Sequence, residues 1–281
     1  MKVFHTISEA TGYLKLHKEQ GKKIGLVPTM GALHQGHISL VKKARYENDI
    51  VICSIFVNPI QFNNPEDLAK YPRNLDSDLE YLNKADCDMV FVPSEKEMYP
   101  EPVNTVYDFG KLDKVMEGRF RPGHFNGVAI VVHRLFEILP ADNAYFGEKD
   151  FQQLTIIKKM VKDFSLPVTI VPCPIVREAD GLAMSSRNQR LLPEERAVAP
   201  LIFSCLHKAA ESYSSFTPEG LKQMICNDIK QSPHFRVEYL EIVDMDSLMP
   251  INDWNESKQV IICAAVFLGQ VRLIDNIILY C

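Results

Sequence analysis

Two histidines and two glycines lie close together in residues 31–37, at positions Gly31, His34, Gly36 and His37. The segment follows an apolar run and leads into a helical pattern, so it is expected to connect a strand to a helix. The first turn of a helix presents unpaired N–H groups and a partial positive charge, which together bind phosphate. The glycines allow the backbone to approach a ligand, and both imidazoles can donate hydrogen bonds. The segment is therefore predicted to bind a phosphoryl group.

The glycine spacing matches the first half of a P-loop, but the residues that follow do not. His37 stands where a P-loop has lysine, and Ile38 stands where it has the serine or threonine that binds magnesium. The pattern from His34 to His37 is similar to the HxGH motif of the nucleotidylyltransferase and class I aminoacyl-tRNA synthetase superfamily. That resemblance implies attack at the α-phosphate of ATP, with pyrophosphate leaving. The alternative is that His37 is a core histidine and His34 a surface one.

A second polar segment, residues 147–153, also follows a strand-like run and precedes a helical pattern. Lys149 has an unusual position, because the helix dipole disfavours a cation at a helix N-terminus by a few tenths to about 1 kcal/mol. The phosphates of ATP would remove that penalty. Asp150 and Gln153 have the spacing of a capping box variant, so they either cap the helix or contact a ligand. For Lys149 the alternative is a solvated surface lysine.

A third segment, residues 184–188, places hydroxyl groups beside a cation. It contains Ser185, Ser186 and Arg187 after Met184, and it resembles the mobile KMSKS-type loop of the same superfamily. In that role Arg187 supplies positive charge and the serines supply hydrogen-bond donors. Serines beside an arginine are also typical of an ordinary loop, so this segment alone does not indicate a nucleotide site.

Apolar runs rich in β-branched residues are expected to position these segments. The runs cover residues 24–28, 50–57, 89–92, 144–146 and 168–176. Helical patterns lie between most of them, which predicts a parallel sheet wrapped by helices. The helix after the first run has an apolar stripe formed by Leu33, His37, Leu40, Val41 and Ala44, so His37 should face inward near a strand end.

The pattern changes after residue 176. Residues 177–188 are polar and rich in turn formers, and a helical stretch then begins at Pro193 with a break expected at Pro200. Three strand-like runs close the chain, and the last two meet at Gly269 and Gln270 in a predicted tight hairpin.

The fold class is therefore α/β. A Rossmann-like parallel sheet with flanking helices is predicted for residues 1–176, followed by a smaller C-terminal α+β domain with an antiparallel sheet in residues 177–281.

Composition limits the classes of function. The 281 residues carry a formal charge of −5, and the part from Arg177 onward has 10 Lys and Arg against 14 Asp and Glu, which argues against a nucleic-acid or anionic-membrane partner. The N-terminus does not have the pattern of a secretory signal, so a cytoplasmic protein is expected. The seven cysteines are widely spaced and do not indicate a disulfide framework or a metal site, and Cys281 is the one expected to be exposed to oxidation.

Taken in order, the three segments resemble the pantothenate synthetase family. Further stretches with that resemblance are residues 56–62, 71–73, 121–125 and 177–188, so it covers about residues 24–190. The resemblance implies an ATP-dependent ligase that adenylylates the carboxylate of (R)-pantoate and couples the pantoyl adenylate to β-alanine, releasing AMP and pyrophosphate. It also implies a homodimer, with Mg²⁺ bound mainly through the phosphates of ATP and no metal site on the protein.

The resemblance also implies roles for individual residues. His37 would be the proton donor, and Gln61 and Gln153 would hold pantoate, with Gln61 also facing β-alanine. The catalytic set would be His34, His37, Lys149, Ser186 and Arg187, and the ATP site would comprise Met30, Gly31, Ala32, Leu33, His34, Gln35, Gly36, His37, Gly147, Glu148, Lys149, Asp150, Val176, Met184, Ser185, Ser186 and Arg187. Neutral amides can orient a carboxylate without an ion pair that would blunt its attack.

Other interpretations remain open from the sequence. A related nucleotidylyltransferase would share both motifs but would transfer a nucleotide to a phosphate, which requires basic residues where Gln61 and Gln153 are neutral. A non-catalytic nucleotide sensor or RNA-binding module is a third interpretation, although the retained cations and the acidic C-terminal part count against it.

Asp76 and Asp78 are candidate outer partners of magnesium, and both are expected to be solvated helix residues instead. The geminal methyls of pantoate are expected to contact Pro28, Met30, Phe62 and Val131.

Overall fold

Six short apolar strands form a parallel sheet in a computed structural model that describes residues 1–280. They are β1 (Lys2–Phe4), β2 (Ile24–Thr29), β3 (Ile50–Ile55), β4 (Met89–Phe91), β5 (Asn143–Gly147) and β6 (Thr169–Cys173). The strand order is β1-β4-β3-β2-β5-β6 and every pairing is parallel. The predicted sheet is confirmed, and β1 is an addition whose three residues are too short for a recognisable pattern. Cys281 lies outside the described residues.

Helices cover both faces of this sheet. Successive strand residues point to opposite faces, so Leu26 and Ile52 enter one hydrophobic cluster while Val27 and Cys53 enter another. The first cluster is completed by α1 (Ile7–Glu19), α7 (His124–Ile138) and α8 (Phe151–Asp163), and the second by α2 (Gln35–Glu47) and α4 (Leu75–Lys84). Every residue of β3 is buried, as expected for a strand between two layers of helices.

Two helices of this part begin directly after turns. Helix α7 starts at His124, after Gly123. Helix α8 starts at Phe151 with Asp150 at its N-cap position, which agrees with the helical pattern expected there, and a 3-10 turn, Glu148–Asp150, precedes it. Three short helices complete this part of the chain, namely α3 (Pro65–Ala69), α5 (Glu95–Met98) and α6 (Met116–Phe120).

The C-terminal part has its own sheet and its own core. Strands β7 (Phe235–Asp244), β8 (Gln259–Leu268) and β9 (Val271–Tyr280) are antiparallel, and helices α9 (Pro193–Val198), α10 (Leu201–Ser212) and α11 (Pro218–Lys230) accompany them. The break at Pro200 is confirmed between α9 and α10. The hairpin is confirmed between β8 and β9, where Gly269 adopts a φ of +56°.

The second face of the C-terminal sheet packs against the first part of the chain. Met116 of α6 and Phe151 of α8 join Tyr239, Ile261 and Cys263 of the sheet in one buried cluster. A cleft lies along this boundary, above the ends of β2 and β5. Within the described residues, no helix is both long and apolar enough to cross a membrane.

Candidate active site

The turn after β2 is held in an unusual backbone conformation by a buried carboxylate. Gly31 and Ala32 have positive φ angles of 78° and 50°, a region that costs most residues energy. The carboxylate of Asp78 accepts hydrogen bonds from the backbone N–H groups of Ala32 at 2.9 Å and Leu33 at 2.7 Å. Asp78 is only 2% exposed, so its expected position as a solvated helix residue is wrong, whereas Asp76 is exposed as expected. Asp78 therefore shapes the turn from within.

The two histidines at the start of α2 are oriented by backbone hydrogen bonds. Nδ1 of His34 accepts from the N–H of Gly36 at 3.1 Å, and Nδ1 of His37 accepts from the N–H of His34 at 3.3 Å. The proton of each neutral ring must then be on Nε2. The ring centroids are 4.1 Å apart. Both residues line the same cavity, and each can offer one N–H donor to a ligand there.

Both rings are neutral at physiological pH. Burial lowers the pKa of His34 to about 4, and the charge of Lys149 lowers it further. Burial lowers the pKa of His37 to about 3, with a contribution from His34. The proton that His37 offers is therefore that of a neutral imidazole. The assignment of His37 as proton donor stays a prediction, and in this geometry it means a hydrogen-bond donor through Nε2–H.

These low pKa values predict that acid destabilises the fold. The unfolded chain binds protons at His34 and His37 near pH 6.5, whereas the folded chain does so only near pH 4 and 3. Stability is therefore complete above pH 6.5 and falls as the pH drops below it, by on the order of 1 kcal/mol per pH unit for each histidine. Urea unfolding at pH 7, 6 and 5 measures this slope. A His37→Gln variant should have a smaller slope, and an unchanged slope would contradict the assignment.

The second segment brings a cation to the same place. Lys149 lies in the 3-10 turn that ends β5, and its side chain is 19% exposed. Its carbonyl and that of Glu148 both accept hydrogen bonds from the side-chain amide of Asn276 on β9, at 3.0 and 2.9 Å. Asp150 occupies the N-cap position of α8, but its side chain makes no capping hydrogen bond, so the capping alternative is not realised. Asp150 and Gln153 instead line the cleft.

The third segment lines the same cavity as the first two. Ser185 caps the following 3-10 turn by accepting from the N–H of Arg187 at 3.3 Å, and Ser186 is buried. The guanidinium of Arg187 donates to Asp67 at 2.9 Å, and Arg190 donates to the other oxygen of the same carboxylate at 3.3 Å. No sequence pattern connects Asp67 with this loop, because 120 residues separate Asp67 from Arg187.

A cavity of about 220 Å³, here called the inner cavity, collects most of the predicted site residues. From the predicted sets it is lined by Met30, His34, Gly36, His37, Gln61, Gly147, Lys149, Asp150, Gln153, Val176, Met184, Ser185, Ser186 and Arg187. Gly31, Ala32, Leu33, Gln35 and Glu148 do not line it. Leu33 is in the core behind the turn, and Gln35 is exposed. The ATP-site assignment of these five residues stays a prediction.

One wall of the inner cavity is apolar. It is formed by Pro28 and Met30 together with Val128, Val131 and Leu135. Phe62 is not part of this wall and packs against Tyr71 instead, at 5.8 Å between ring centroids. Gln61 is 6% exposed, and its amide nitrogen contacts the sulfur of Met30 at 2.9 Å. The cavity therefore combines an apolar wall with neutral amides and with cations at its mouth.

A larger cavity of about 450 Å³, here called the outer cavity, adjoins the inner one and reaches the C-terminal sheet. The residues that line both cavities are Lys149, Asp150, Gln153, Ser185 and Arg187. Arg121 and His124 line only the outer cavity. Their segment, residues 121–125, resembles the family in sequence, but no role was predicted for it. Nδ1 of His124 is 2.8 Å from the carbonyl of Gln61, and Nε2 is 3.1 Å from Arg121.

Burial also keeps His124 neutral. It lowers the pKa of this ring to about 4, and the positive charge of Arg121 lowers it further. Nε2 then accepts from Arg121 while Nδ1–H donates to Gln61. A chain of hydrogen bonds thus connects the outer cavity to a residue of the inner one. Among residues 1–280, no group of three or more His, Cys, Asp and Glu side chains is arranged to hold a metal ion.

Comparison with known proteins gives a consistent result along the whole chain. A family profile described as pantoate-beta-alanine ligase matches residues 2–278. The chain is 50% identical over 277 residues to a pantothenate synthetase of Porphyromonas gingivalis, with 99% of each chain covered. It is 52% identical over 278 residues to a pantothenate synthetase of Phocaeicola vulgatus, again with 99% of each chain covered.

Solved structures agree in fold. A pantothenate synthetase from Thermus thermophilus superposes with a TM-score of 0.94 at 42% identity, covering 100% of both chains. A pantoate-beta-alanine ligase from Francisella tularensis, complexed with beta-gamma ATP and beta-alanine, superposes with a TM-score of 0.82 at 38% identity, covering 99% of this chain and 97% of that one. The similarity therefore extends over both sheets and the cleft between them.

Proposed function

Because the chain belongs to the pantoate-beta-alanine ligase family, we propose that its inner cavity is where ATP activates pantoate. The chain is a ligase that condenses pantoate with β-alanine, with ATP as a substrate. Family membership favours this activity over the nucleotidylyltransferase and the nucleotide sensor that the motifs alone leave open.

One observation carries the residue assignment. His37, Lys149 and Arg187 come from three distant segments, and all three line one cavity together with Gln61 and Gln153. Donors and cations that converge from separate elements on a partly enclosed space are suited to stabilising charge that develops on phosphate. The glutamines are neutral, as a carboxylate nucleophile requires.

The first chemical step takes place at the α-phosphorus of ATP. A carboxylate oxygen of pantoate forms a bond to this phosphorus while the bond to the bridging oxygen breaks, so pyrophosphate leaves and pantoyl adenylate remains. Negative charge on the phosphate oxygens is stabilised by Nε2–H of His34 and His37, by Lys149 and Arg187, and by Ser186. All five side chains line the inner cavity, and none of them has to form a covalent bond.

The second step occurs at the acyl carbon of the adenylate. The unprotonated amine of β-alanine attacks this carbon, the carbon–oxygen bond to the phosphate breaks, and AMP leaves as the amide forms. Gln61 and Gln153 orient pantoate through its hydroxyls and carboxylate, while Val131 and Pro28 contact the geminal methyls. The hydrogen bond from His124 to the backbone carbonyl of Gln61 holds Gln61 near the boundary of the two cavities.

Pyrophosphate exchange tests this function. Labelled pyrophosphate is expected to enter ATP only when pantoate is present, because the reversal of adenylate formation needs the bound acid. β-Alanine alone should not support exchange, and adding it with pantoate should convert exchange into net synthesis of pantothenate. Exchange without pantoate would indicate a different acceptor and would overturn the proposal.

Four further assignments belong to the same proposal. Mg²⁺ enters bound to the phosphates of ATP and neutralises their charge, as the family resemblance implies. The chain divides near residue 176 into two domains, which the separate hydrophobic clusters of the two sheets support. The protein is cytoplasmic, and it forms a homodimer, as the family resemblance implies. Light scattering of the purified protein measures the last of these.

A further inference from the structure

Tyr99 and Asn58 form a hydrogen-bonded chain that ends at Gln61 of the inner cavity. Neither Tyr99 nor Asn58 lines the inner or the outer cavity. The hydroxyl of Tyr99 donates to Oδ1 of Asn58 at 3.0 Å, and Nδ2 of Asn58 donates to Oε1 of Gln61 at 3.2 Å. Asn58 is completely buried, and Gln61 is 6% exposed. The chain therefore connects a residue of the substrate pocket to a tyrosine outside that pocket.

The direction of these hydrogen bonds is determined at Gly127 of α7. Nδ2 of Asn58 donates to the backbone carbonyl of Gly127 at 3.0 Å. A carbonyl can only accept, so the amide nitrogen of Asn58 has to face α7 and its oxygen has to face Tyr99. The second N–H of Asn58 is then directed at Gln61, whose amide oxygen accepts it. Helix and turn can approach this closely because a Cβ atom at Gly127 would lie only 2.5 Å from Cα of Gln61, and glycine has none.

Gln61 is consequently fixed with its amide nitrogen toward the inner cavity. Nε2 of Gln61 lies 2.9 Å from the sulfur of Met30, which is a weak acceptor and lines the same cavity. An amide nitrogen carries two hydrogens, so the second one remains for a ligand. A carboxylate offers only acceptor oxygens. The side chain of Gln61 thus presents the end of its amide that a carboxylate can bind.

The hydroxyl and the ring of Tyr99 have separate contacts. Burial raises the pKa of the hydroxyl above its ordinary value, and the charge of Glu95 raises it further, so the hydroxyl stays protonated and remains a donor. The ring packs edge-on against Phe56, at 6.0 Å between centroids, and Phe56 lines the inner cavity. Removing the hydroxyl alone therefore breaks the chain to Gln61 and leaves the packing of this wall in place.

We propose that Tyr99 is a positioning residue for adenylate formation, whose hydroxyl acts through Asn58 to keep the amide N–H of Gln61 directed at the pantoate carboxylate. This role rests on the proposed binding of pantoate by Gln61, and it adds what fixes the amide. Without the hydroxyl, Oδ1 of Asn58 becomes a buried acceptor that lacks its donor, which favours rotation of this amide. Gln61 then loses its partner and can turn its oxygen to the cavity, where a carboxylate repels it.

A Tyr99→Phe variant tests this role, because phenylalanine keeps the ring and removes only the hydroxyl. The KM for pantoate is expected to rise roughly tenfold, as one hydrogen bond to the substrate is lost, while the KM for ATP should change less than about threefold. Pyrophosphate exchange measures both values. A KM does not depend on how much of the enzyme is folded, so partial unfolding would lower only the maximal rate. Pantoate-dependent exchange by the wild-type protein tests the ligase function independently.

Two comparisons control the result. Tyr107→Phe removes another half-buried hydroxyl, which lies 2.6 Å from Nδ1 of His133 on α7, and Tyr107 lines neither cavity. This variant should leave both KM values unchanged. In a Gln61→Ala background, Tyr99→Phe should hardly change the KM for pantoate further, because the residue through which the hydroxyl acts is gone. The proposal is overturned by an unchanged KM for pantoate in Tyr99→Phe, by an equal rise for ATP, or by a full additional effect in the Gln61→Ala background.

Discussion

Replacing Lys149 with methionine is expected to reduce pantoate-dependent pyrophosphate exchange at least about a hundredfold, the usual cost of removing one preorganised donor from a charged transition state. The side chain lines both cavities, and its backbone is held in place by Asn276. Methionine keeps the length of the side chain and removes only its charge, so the packing of the turn should survive. Exchange rates and thermal unfolding midpoints, measured together, show whether the loss of exchange comes from slower chemistry or from a destabilised fold.

Lys159→Met provides the matched control. Lys159 is in α8, the helix that follows the turn of Lys149, but its ammonium pairs with Asp163 at 2.8 Å and it does not line either cavity. This variant should exchange at the wild-type rate. If Lys149→Met folds normally and retains more than about a tenth of the wild-type rate, then Lys149 does not stabilise the transition state.

Substitution of His37 is expected to cause the second large loss of pyrophosphate exchange. Two different substitutions distinguish the roles of the two ring nitrogens. Asparagine places its amide near the position of Nδ1, and glutamine reaches the position of Nε2. His37→Asn is expected to lose about a hundredfold or more in exchange, because the donor toward the phosphate is gone. His37→Gln should remain within roughly tenfold of wild type, since its amide N–H can replace Nε2–H.

The pH dependence of exchange checks the same assignment. A ring with a pKa of about 3 does not titrate between pH 6 and 9, so His37 should contribute no inflection in that range. An imidazolium acid would instead lose activity as the pH rises through its pKa. Equal losses in the two variants, or an inflection that disappears in both, would show that Nε2–H is not the group that acts on the phosphate.

The sequence predicted the elements of the fold well because their patterns are local. The runs that became β2 to β5 are continuous and apolar because these strands are almost entirely buried, whereas the edge strand β6 is only partly buried. The three chemical segments were also recognisable, since each lies at a strand end or in a turn-rich loop. What brings them together is the order of strands in the sheet, in which β2 and β5 are neighbours.

The parts of the site that the sequence did not predict are contacts between residues far apart in the chain. Asp78 bonds to the turn 45 residues before it. The apolar stripe of Leu75, Leu79 and Leu82 places Asp78, unlike Asp76, on the inward face of α4, but the sequence does not show which backbone groups its carboxylate binds. Asn276 supports the turn at Lys149 from 127 residues away. Asp150 occupies the N-cap position of α8, but its side chain makes no capping hydrogen bond and lines the cleft instead. The spacing therefore located the start of the helix but not the surroundings of this carboxylate.

The C-terminal sheet had few recognisable motifs, yet it supports the nucleotide side of the cleft. Asp275 of β9 accepts hydrogen bonds from both terminal nitrogens of Arg177, at 2.7 and 3.0 Å, just where the chain leaves the first sheet. The next residue, Asn276, holds the 3-10 turn after β5. Two adjacent residues of one strand therefore connect the last part of the chain to one of the three chemical segments and to the start of the loop that leads to another.

The ion pair between Asp67 and Arg187 has a consequence for how salt affects nucleotide binding. A triphosphate that engages Arg187 replaces one anion with another, so the number of unpaired charges at this arginine hardly changes. Added salt weakens both the ion pair of Arg187 with Asp67 and the contact of Arg187 with the triphosphate. The affinity for ATP depends on the difference between these two interactions, so the effects of salt on them partly cancel. The sensitivity of ATP binding to ionic strength should accordingly be smaller than a count of the cleft's arginines and lysines suggests.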